Sequence, residues 1–405
     1  MSRLINSRKS KDKRPSYGLK AAFFFERKRS FYFERSGLLT LSVAVFFLAG
    51  CAPRVATSFW KIGTPADSAR EGYTVIQAEG KTRHCYPIEV WTDGPETDTY
   101  HALHHHGVAV ESDLMAYRIY FDKKQTVDVY CKRRPQLELA QSYWYPNDSL
   151  LAAGYGDDIL RVSGTVGVGS VKYWNGRLYH IEEVGERQQL IVQKRRNEAT
   201  VAVRDVDWTV PDGGEELPET RHIVNLDVRY TMKAGHRDMR CDVFCSSLGD
   251  SLPFGGGLEG PALCTGVQTI PAKGNLTDVV DLTATRSNSD NGLIAEGGRC
   301  AFAAQLKNGV LLASWGTDWP VNDSVKYAKE TVGLGVFIPK KYAGALVHDK
   351  QNNLCLLTPL PLKGGTGRGC HFHLTCCGAT KETHPVARTA GEWIAYLKKW
   401  AKGLK

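Results

Sequence analysis

Long amphipathic helical stretches are almost absent from this sequence, which excludes an all-helical protein. Short runs of alternating apolar and polar residues, bounded by glycines and turn-forming residues, recur instead and are typical of β-strands. A membrane-spanning helix needs roughly 20 apolar residues, and the run at 38–48 has only eleven. No internal repeat or linker-like break is visible. The sequence therefore predicts a mostly β protein without a spanning helix in this segment.

Common catalytic motifs are also missing. The chain contains neither Gly-x-Ser-x-Gly nor His-Glu-x-x-His, so no serine nucleophile elbow or helical zinc site is indicated. Glycines at 164–169 resemble a scrambled dinucleotide-binding motif, but the strand-like residues 171–174 follow them. Phosphate-binding glycines open a helix, so we expect no nucleotide cofactor here.

The first fifty residues are predicted to be an export signal. They combine eleven lysines and arginines with the apolar run 38–48 and end in Leu48-Ala-Gly before Cys51. A basic segment, a short apolar run and small residues at the cleavage site are the parts of a secretory signal. The end of this segment resembles the lipobox of bacterial lipoproteins, which implies lipidation of Cys51. An uncleaved basic tail on a cytosolic protein is the alternative.

Removal of this signal changes the charge balance. The whole chain has a net charge of +9, and residues 1–50 contribute eleven positive and three negative side chains. The remainder holds 41 positive and 40 negative side chains, a net charge of +1. Nucleic-acid-binding domains usually show a clear basic excess. We therefore expect no nucleic-acid partner.

Ten cysteines follow Cys51, an even number that permits disulfides in an exported protein. Cys241 and Cys245 lie on one predicted strand, where four residues span roughly 13 Å. A disulfide requires Cα atoms within about 7 Å. Most of the cysteines are therefore expected to be small buried hydrophobic residues.

The most informative stretch is 101–122. Four of the twelve histidines lie in its first six residues, and an apolar segment with acidic residues follows them. We interpret this segment and residues 126–131 as a β-hairpin around the turn 122–125, because β-branched and aromatic residues alternate with polar ones on both sides.

Strand alternation predicts how the polar residues of this stretch are divided. Residues two apart on a strand share a face. On one continuous strand, Glu111, Asp113 and Tyr117 therefore point one way, and Arg118 and Tyr120 point the other way. This division favours Glu111 as a partner for the histidines and makes Arg118 a structural residue or a ligand for a substrate carboxylate.

Two further pairs of polar residues occur in predicted strands. His236 and Asp238 lie at the turn of a second hairpin, 222–244. His371 and His373 share one face of a late strand. Single residues of these types are more often structural than catalytic.

The clearest helix signal is at the C-terminus. Thr389 and Glu392 form a capping box, and apolar residues follow at helical spacing. The apolar stripe consists of Trp393, Tyr396, Leu397 and Trp400. We expect this helix to pack on the domain without a chemical role.

Histidine clusters raise the question of a metal. His104–His106, or His371 and His373 with nearby cysteines, offer ligand types that zinc uses. Neither cluster has an established metal-binding spacing, so we predict no metal site. Acid–base chemistry on a sugar is the alternative, since it needs a proton donor and an acceptor with separated pKa values.

Four motifs together are similar to those of a family of lipoproteins of unknown function from gut Bacteroidetes. They are the residues 104–122, Tyr-Gly-Asp-Asp at 155–158, Ala-Gly-His-Arg-Asp at 234–238 and Trp-Gly-Thr-Asp at 315–318. Genes of that family commonly lie among polysaccharide-utilisation genes, often for uronate-containing glycans. More distantly, the pattern resembles the galactose-mutarotase-like supersandwich, a large two-sheet antiparallel β-sandwich.

The resemblance implies the following organisation and function. Residues 1–50 would be the signal, 51–72 a tether and 73–405 one β-supersandwich domain with a C-terminal helix. The protein would be anchored through Cys51 in the envelope of a Gram-negative bacterium, on the outer membrane, facing the periplasm or the surface. It would cleave an acidic, pectin-like glycan by acid–base chemistry, as a lyase or a hydrolase. A non-catalytic glycan-binding lipoprotein and a sugar mutarotase or epimerase are the alternatives.

Candidate site residues follow from the same patterns. Histidine with an acidic residue would supply acid–base catalysis, and aromatic or polar residues near glycines would bind the sugar. The catalytic candidates are His105, His106, Glu111, His236 and Asp238. The substrate-binding candidates are Tyr117, Arg118, Trp144, Tyr155, Asp157, Trp315, Asp318 and His371.

The lipid anchor leads to a first test. Changing Cys51 to Ser removes the only atom that a lipoprotein signal would modify, so the variant should move from the membrane to the soluble fraction after cell lysis. Fractionation followed by immunoblotting measures this. Membrane association equal to that of the unchanged protein would contradict the predicted anchor.

Overall fold

Alternating apolar and polar residues form strands along most of the chain that the computed structural model describes. The described residues are 54–78, 80–94, 99–211, 222–247, 253–254, 257–258, 260–270, 293–295, 299–318, 330–349, 353–361 and 369–404. The predicted signal segment and Cys51 lie outside them. All elements below belong to the unit Pro53–Lys405.

Twenty-five strands and two α-helices form in these residues. The strands are β1 Val55–Ser58, β2 Trp60–Gly63, β3 Thr74–Ala78, β4 Lys81–Pro87, β5 Val90–Asp93, β6 Gly107–Ser112, β7 Met115–Tyr120, β8 Val127–Cys131, β9 Asp157–Asp158, β10 Lys172–Trp174, β11 Leu178–Tyr179, β12 Glu186–Lys194, β13 Glu198–Val210, β14 His222–Lys233, β15 Met239–Ser247, β16 Pro253–Phe254, β17 Ala262–Gln268, β18 Leu293–Ala295, β19 Arg299–Gln305, β20 Gly309–Asp318, β21 Glu330–Pro339, β22 Leu346–His348, β23 Asn353–Thr358, β24 Leu360–Pro361 and β25 Cys370–Gly378. The helices are α1 Asp148–Ala152 and α2 Ala390–Lys402.

The strands form one large sheet and several smaller ones. The large sheet has ten strands in the order β18-β19-β20-β21-β25-β15-β14-β13-β12-β5. One five-stranded sheet has the order β1-β6-β7-β8-β9, and the other has the order β11-β10-β17-β23-β22. A three-stranded sheet (β2-β4-β3) and the pair β16-β24 complete the described strands.

The main hydrophobic core lies between the large sheet and the two five-stranded sheets. Apolar side chains of all three sheets contribute to one buried cluster, including Val110 and Tyr117 from the first small sheet and Leu356 from the second. The facing side chains of the large sheet include Val228 and Leu374. Along each strand, apolar residues that face the core alternate with polar residues that face outward. This alternation allows the sheets to pack in layers. The predicted mostly β sandwich with antiparallel sheets and a C-terminal helix is confirmed.

The hairpin predicted for 101–131 folds with one more turn than expected. Residues 113–114 reverse the chain between β6 and β7, and the Ser112 hydroxyl accepts hydrogen bonds from the backbone N–H groups of Leu114 and Met115 at 3.0 and 3.3 Å. Side-chain bonds of this kind favour turns over strands. The predicted turn around 122–125 also forms, between β7 and β8.

This extra turn corrects the predicted division of the polar residues. Glu111 pairs with Ala116, and Ala109 pairs with Arg118. Directly paired residues share a face, so Glu111 and Arg118 lie on the same side of the sheet. Tyr117 lies on the opposite side, in the core.

Part of the predicted tether is folded. Within 51–72, β1 pairs with β6 and β2 pairs with β4. The folded part of the chain therefore begins before residue 73, which corrects the predicted boundary.

The C-terminal helix forms as its sequence predicts. The Thr389 side chain caps α2 by accepting from the Glu392 N–H at 3.2 Å. Trp393 and Leu397 are fully buried against β20 and β21. Gly333 and Gly335 of β21 make room for them, because a side chain at either glycine would overlap these two residues.

Nine cysteines are buried and form no disulfide, as expected for small hydrophobic residues: Cys85, Cys131, Cys241, Cys245, Cys264, Cys355, Cys370, Cys376 and Cys377. No helix in the described ranges is long and apolar enough to cross a membrane.

The contact between α2 and β21 can be tested by substitution at Gly333. A Cβ atom there would lie 2.8 Å from the rigid Trp393 ring, so Gly333→Ala should lower the free energy of unfolding by about 1–3 kcal/mol. Gly391→Ala is the matched control, since a Cβ at Gly391 meets no atom within 4 Å. Urea denaturation measures both. Equal stability of the two variants would contradict the close packing.

Candidate functional site

A loop formed by residues 133–147 covers the outer face of the first five-stranded sheet; it is called the covering loop below. Glu111 on β6 holds it by accepting hydrogen bonds from the backbone N–H groups of Glu138 and Leu139 at 2.8 and 3.1 Å. Glu111 also forms a buried ion pair with Lys132. With both oxygens engaged and 2 % of its surface exposed, Glu111 has a structural role in this conformation.

Two of the histidines hold the same loop. The His105 ring contacts the Leu139 carbonyl through Nε2 at 2.8 Å, and the His104 ring contacts the Ser142 carbonyl. Both rings are fully buried. Burial lowers the pKa of His104 to about 4 and that of His105 well below its usual value, so both rings are neutral at neutral pH.

Arg118 is the centre of a buried polar cluster on this face. Its guanidinium donates to Asp128 and Asp158, each at 2.9 Å, and it also contacts the Tyr120 hydroxyl. A further bond runs to the Trp144 carbonyl of the covering loop at 3.3 Å. The Arg118 side chain is fully buried, so it holds the protein together and does not reach a ligand.

Two carboxyl groups share this single guanidinium. Burial and the neighbouring charge of Asp128 raise the pKa of Asp158 well above its usual value. Two carboxylates that share a site rarely both ionise. Burial raises the pKa of Asp128 as well, so the surroundings favour one proton shared between the two carboxyl groups.

A cleft of about 200 Å³ opens beside this cluster; it is called the aromatic pocket. Three tyrosines and a histidine supply its aromatic wall, and polar residues of the turn after β7 supply its floor. The lining residues are Tyr100, His106, Tyr120, Asp122, Lys124, Thr126, Tyr145, Val162 and Ser163. A cleft of this volume suits a ligand the size of one sugar ring.

His106 is held between aromatic rings at the edge of this pocket. Its ring stacks on Trp144 with 4.5 Å between centroids and lies nearly parallel to Tyr120 at 6.0 Å. Burial, with a smaller contribution from the Arg118 charge, lowers the pKa of His106 to about 3. Its buried Nδ1 atom has no hydrogen-bond partner among the described residues. His106 is therefore an uncharged imidazole with one unsatisfied nitrogen.

Tyrosine hydroxyl groups supply possible donors. The Tyr145 hydroxyl accepts from Arg118 at 3.5 Å, and a hydroxyl that accepts still has its own proton to donate. The Tyr120 hydroxyl lies 3.4 Å from Asp128. Burial raises the pKa of both tyrosines, so both keep their protons at neutral pH.

Backbone strain is concentrated around the aromatic pocket. Six non-glycine residues of the described chain have positive φ, and four of them, His105, His106, Gln125 and Ser163, line the pocket or adjoin its lining residues. Their φ angles lie between 44° and 57°, in the left-handed region that non-glycine residues rarely adopt. Such strain is common at functional sites, and it marks this pocket as the candidate site.

The other predicted catalytic pair lies elsewhere. His236 and Asp238 are in the turn between β14 and β15, with 3.2 Å between Nδ1 and Oδ1. The His236 side chain is about half exposed. His371 lies on β25, with its ring against Tyr342 at 5.2 Å and 5.9 Å from that of His373. The structure does not bring these residues to the lining of the aromatic pocket.

Several predicted substrate-binding residues are engaged inside the protein. Tyr117 is fully buried and donates to the Arg237 carbonyl at 2.6 Å, Asp157 forms an ion pair with Lys381, and Trp315 is buried beneath α2. In this structure each of these three side chains is engaged within the protein, and the predicted binding roles stay predictions. Of the remaining two, Tyr155 is half-buried outside the pocket lining, and Asp318 ends β20.

Metal binding receives no support from the described side chains, which contain no group of three or more histidine, cysteine or acidic residues placed to hold an ion.

Sequence patterns missed most of the pocket lining. Tyr120 lies two residues after Arg118, so the two side chains share one face of the strand. This spacing could have identified Tyr120. Tyr145 lies next to Trp144, which was a candidate. Tyr100 and Ser163 come from loops whose positions depend on tertiary contacts, so no local pattern identifies them.

The family model described as "Domain of unknown function (DUF4861)" matches residues 78–405. The chain belongs to this family, which confirms the expected membership in a family of unknown function. The lipoprotein and polysaccharide-utilisation context stays a prediction. Among curated proteins, none matches this sequence.

Three solved structures resemble the chain distantly. A protein in glycosyl hydrolase family 38 from Enterococcus faecalis has 7% identity and a TM-score of 0.36, covering 87% of this chain and 41% of its own. An alpha-mannosidase from Enterococcus faecalis V583 has 7% identity and a TM-score of 0.34, covering 91% and 42%. A putative aldose 1-epimerase from Klebsiella pneumoniae subsp. pneumoniae MGH 78578 has 8% identity and a TM-score of 0.36, covering 86% and 96%. This chain spans about two fifths of the length of the first two.

The structural role of Glu111 can be tested by stability. Glu111→Ala leaves Lys132 buried without its partner and removes two bonds to the covering loop, so the free energy of unfolding should fall by about 3–5 kcal/mol. Asp242→Ala, which breaks the partly exposed pair with Arg240, should cost less than about 1 kcal/mol. Chemical denaturation compares the two. An unchanged stability of Glu111→Ala would contradict this role.

Proposed function

We propose that the aromatic pocket binds one acidic sugar unit of a glycan and that the protein cleaves the chain there by acid–base chemistry. The observation that supports this most directly is the pairing of a neutral imidazole with tyrosine hydroxyl donors in one small aromatic pocket. Sugar rings stack on aromatic side chains through their apolar faces, and their hydroxyl groups need both donors and acceptors. The pocket offers all three kinds of contact.

His106 is proposed as the proton acceptor. Its pKa of about 3 reflects burial and nearby positive charge. A bound carboxylate would favour the protonated imidazole and raise this pKa, which brings His106 closer to the range useful for proton transfer. Tyr145 is proposed as the proton donor, because Arg118 polarises its hydroxyl.

Elimination accounts for the pocket better than hydrolysis. Glycoside hydrolases usually place two carboxyl groups across the scissile bond. Asp122 is the one carboxylate among the described lining residues, since Asp128 and Asp158 are bound to Arg118 behind the wall. A lyase needs a base and an acid without a carboxylate pair.

The proposed elimination transfers one proton to His106 and one proton from Tyr145. His106 takes the proton from the ring carbon that bears the carboxylate. The electrons of that C–H bond form a carbon–carbon double bond as the neighbouring glycosidic C–O bond breaks. The leaving oxygen receives the Tyr145 proton, so the products are an unsaturated uronate and a shortened glycan.

Anchoring and location complete the proposal. A lipid on Cys51 would hold the protein on the outer membrane of a Gram-negative cell, where extracellular or periplasmic glycans are available. The resemblance to lipoproteins encoded among polysaccharide-utilisation genes supports this location.

Catalysis is tested with uronate-containing polysaccharides as substrates. Rising absorbance from the unsaturated uronate reports a lyase, and new reducing ends without it report a hydrolase. His106→Ala and Tyr145→Phe should each lower kcat by about 10²–10⁴-fold, the usual contribution of a general acid or base. His348→Ala, on β22 and outside the pocket lining, is the control and should keep full activity.

Other results would identify the alternatives. Polysaccharide binding without either product indicates a capture protein, and accelerated interconversion of free sugars indicates a mutarotase or epimerase. Full activity in both pocket variants, together with its loss in His236→Ala, would place the catalytic site at the turn between β14 and β15.

A further inference from the structure

A buried lysine lies directly beneath the aromatic pocket. Lys172, on β10, has no exposed surface. Its amino group contacts the Lys124 carbonyl and lies 3.3 Å from the Thr126 hydroxyl. Both Lys124 and Thr126 line the pocket floor. A ligand in the pocket is therefore separated from this amino group by a single layer of residues.

The charge of Lys172 has no direct counter-ion. Within the described part of the chain, Lys172 forms no ion pair with a carboxylate, and both of its contacts are to neutral oxygens. Asp122 is the nearby acid that favours its charged form, but the Asp122 side chain is bound to the Lys124 side chain at 3.3 Å and to backbone N–H groups. A buried cation without a partner is costly.

Several titratable groups lie around Lys172. Burial lowers the pKa of Lys172 itself to about 7. On one side, burial and the Lys172 charge lower the pKa of His180 to about 4. On the other side lie Cys264 and Cys355, and the pKa of the Cys355 thiol is raised well above its usual value by the neighbouring Cys264 and by burial. With Asp122 and Lys124 on the pocket floor, these are the charged and titratable groups that face the amine.

We propose that Lys172 is a positioning residue that makes the aromatic pocket selective for a carboxylate-bearing sugar and that it takes up a proton when such a sugar binds. This inference rests on the proposed function, because it assumes that the pocket holds the sugar. The bound carboxylate supplies the negative charge that the buried amine lacks. A neutral sugar of the same shape supplies none.

The coupling between ligand binding and protonation of Lys172 determines how the ligand affinity changes with pH. A nearby anion favours the charged amine and raises its pKa. Well below pH 7 Lys172 is protonated with or without ligand, so the affinity is constant there. As the pH rises above 7, the free protein loses the proton first and the affinity for the anion falls. A rise of one pKa unit on binding would make the affinity about tenfold higher on the acidic side than on the alkaline side.

The unchanged protein provides the first measurement. Titration calorimetry with glucuronate and with glucuronamide, its neutral analogue, is carried out from pH 5 to pH 9 in buffers with different ionisation enthalpies. We expect glucuronate to bind more tightly, with an affinity that declines above pH 7 and with net uptake of up to about half a proton at pH 7. Glucuronamide should bind with no such pH dependence.

Substitutions at Lys172 provide the second measurement. Lys172→Met has a similar length and no charge, so its preference for glucuronate over glucuronamide should be smaller than that of the unchanged protein and should not decline above pH 7. Lys172→Arg keeps a charge that does not titrate in this range, so it should keep the preference and lose its decline above pH 7. Lys123→Met is the control, because Lys123 is exposed and paired with Glu182; its selectivity should equal that of the unchanged protein.

The outcomes separate this inference from the proposed function. Equal binding of the two ligands by the unchanged protein, or glucuronate binding without proton uptake, would overturn the role of Lys172 while leaving the pocket as a sugar site. Binding of neither ligand would overturn both. If Lys172→Met does not fold, Lys172→Arg decides the question, because a decline of glucuronate affinity above pH 7 that persists in this variant would assign the titration to another group.

Discussion

The buried contact of Arg118 with Asp128 and Asp158 is the constraint on which the candidate site depends. It connects β7, β8 and β9, and the same guanidinium reaches the covering loop and two pocket tyrosines. A cation in this position must be fully hydrogen-bonded, because an unsatisfied buried charge would cost several kcal/mol. The positions of Tyr120 and Tyr145 are therefore fixed by the requirement to satisfy Arg118 as well as by any need of a ligand.

Local sequence patterns predicted much of the fold. The alternation in 222–244 predicted the β14–β15 hairpin, and Thr389 with Glu392 predicted the start of α2, because these features depend on neighbouring residues. The turn at 113–114 was missed. It depends on one Ser112 hydroxyl within an otherwise strand-like run, and a single unexpected turn reverses which residues share a face.

The candidate site was predictable only in part. His106 and the nearby Trp144 were identified because histidines and aromatics are concentrated in short segments of the sequence. The roles of Glu111 and His105 depend on the covering loop, which follows them by about 30 residues and shows no regular pattern. Lys172 gave no signal, because its burial beneath the pocket depends on tertiary contacts that no local pattern shows.

Side chains of the sheet and of the histidine segment bind the backbone of the covering loop at several points. Glu111 binds its N–H groups, while His104, His105, Arg118 and Tyr130 contact its carbonyl groups. Backbone groups are the same for every amino acid except proline, which lacks the N–H. A substitution of Glu138 or Leu139 therefore leaves their backbone N–H bonds to Glu111 available, whereas proline at either position would remove one of the bonds that hold the loop.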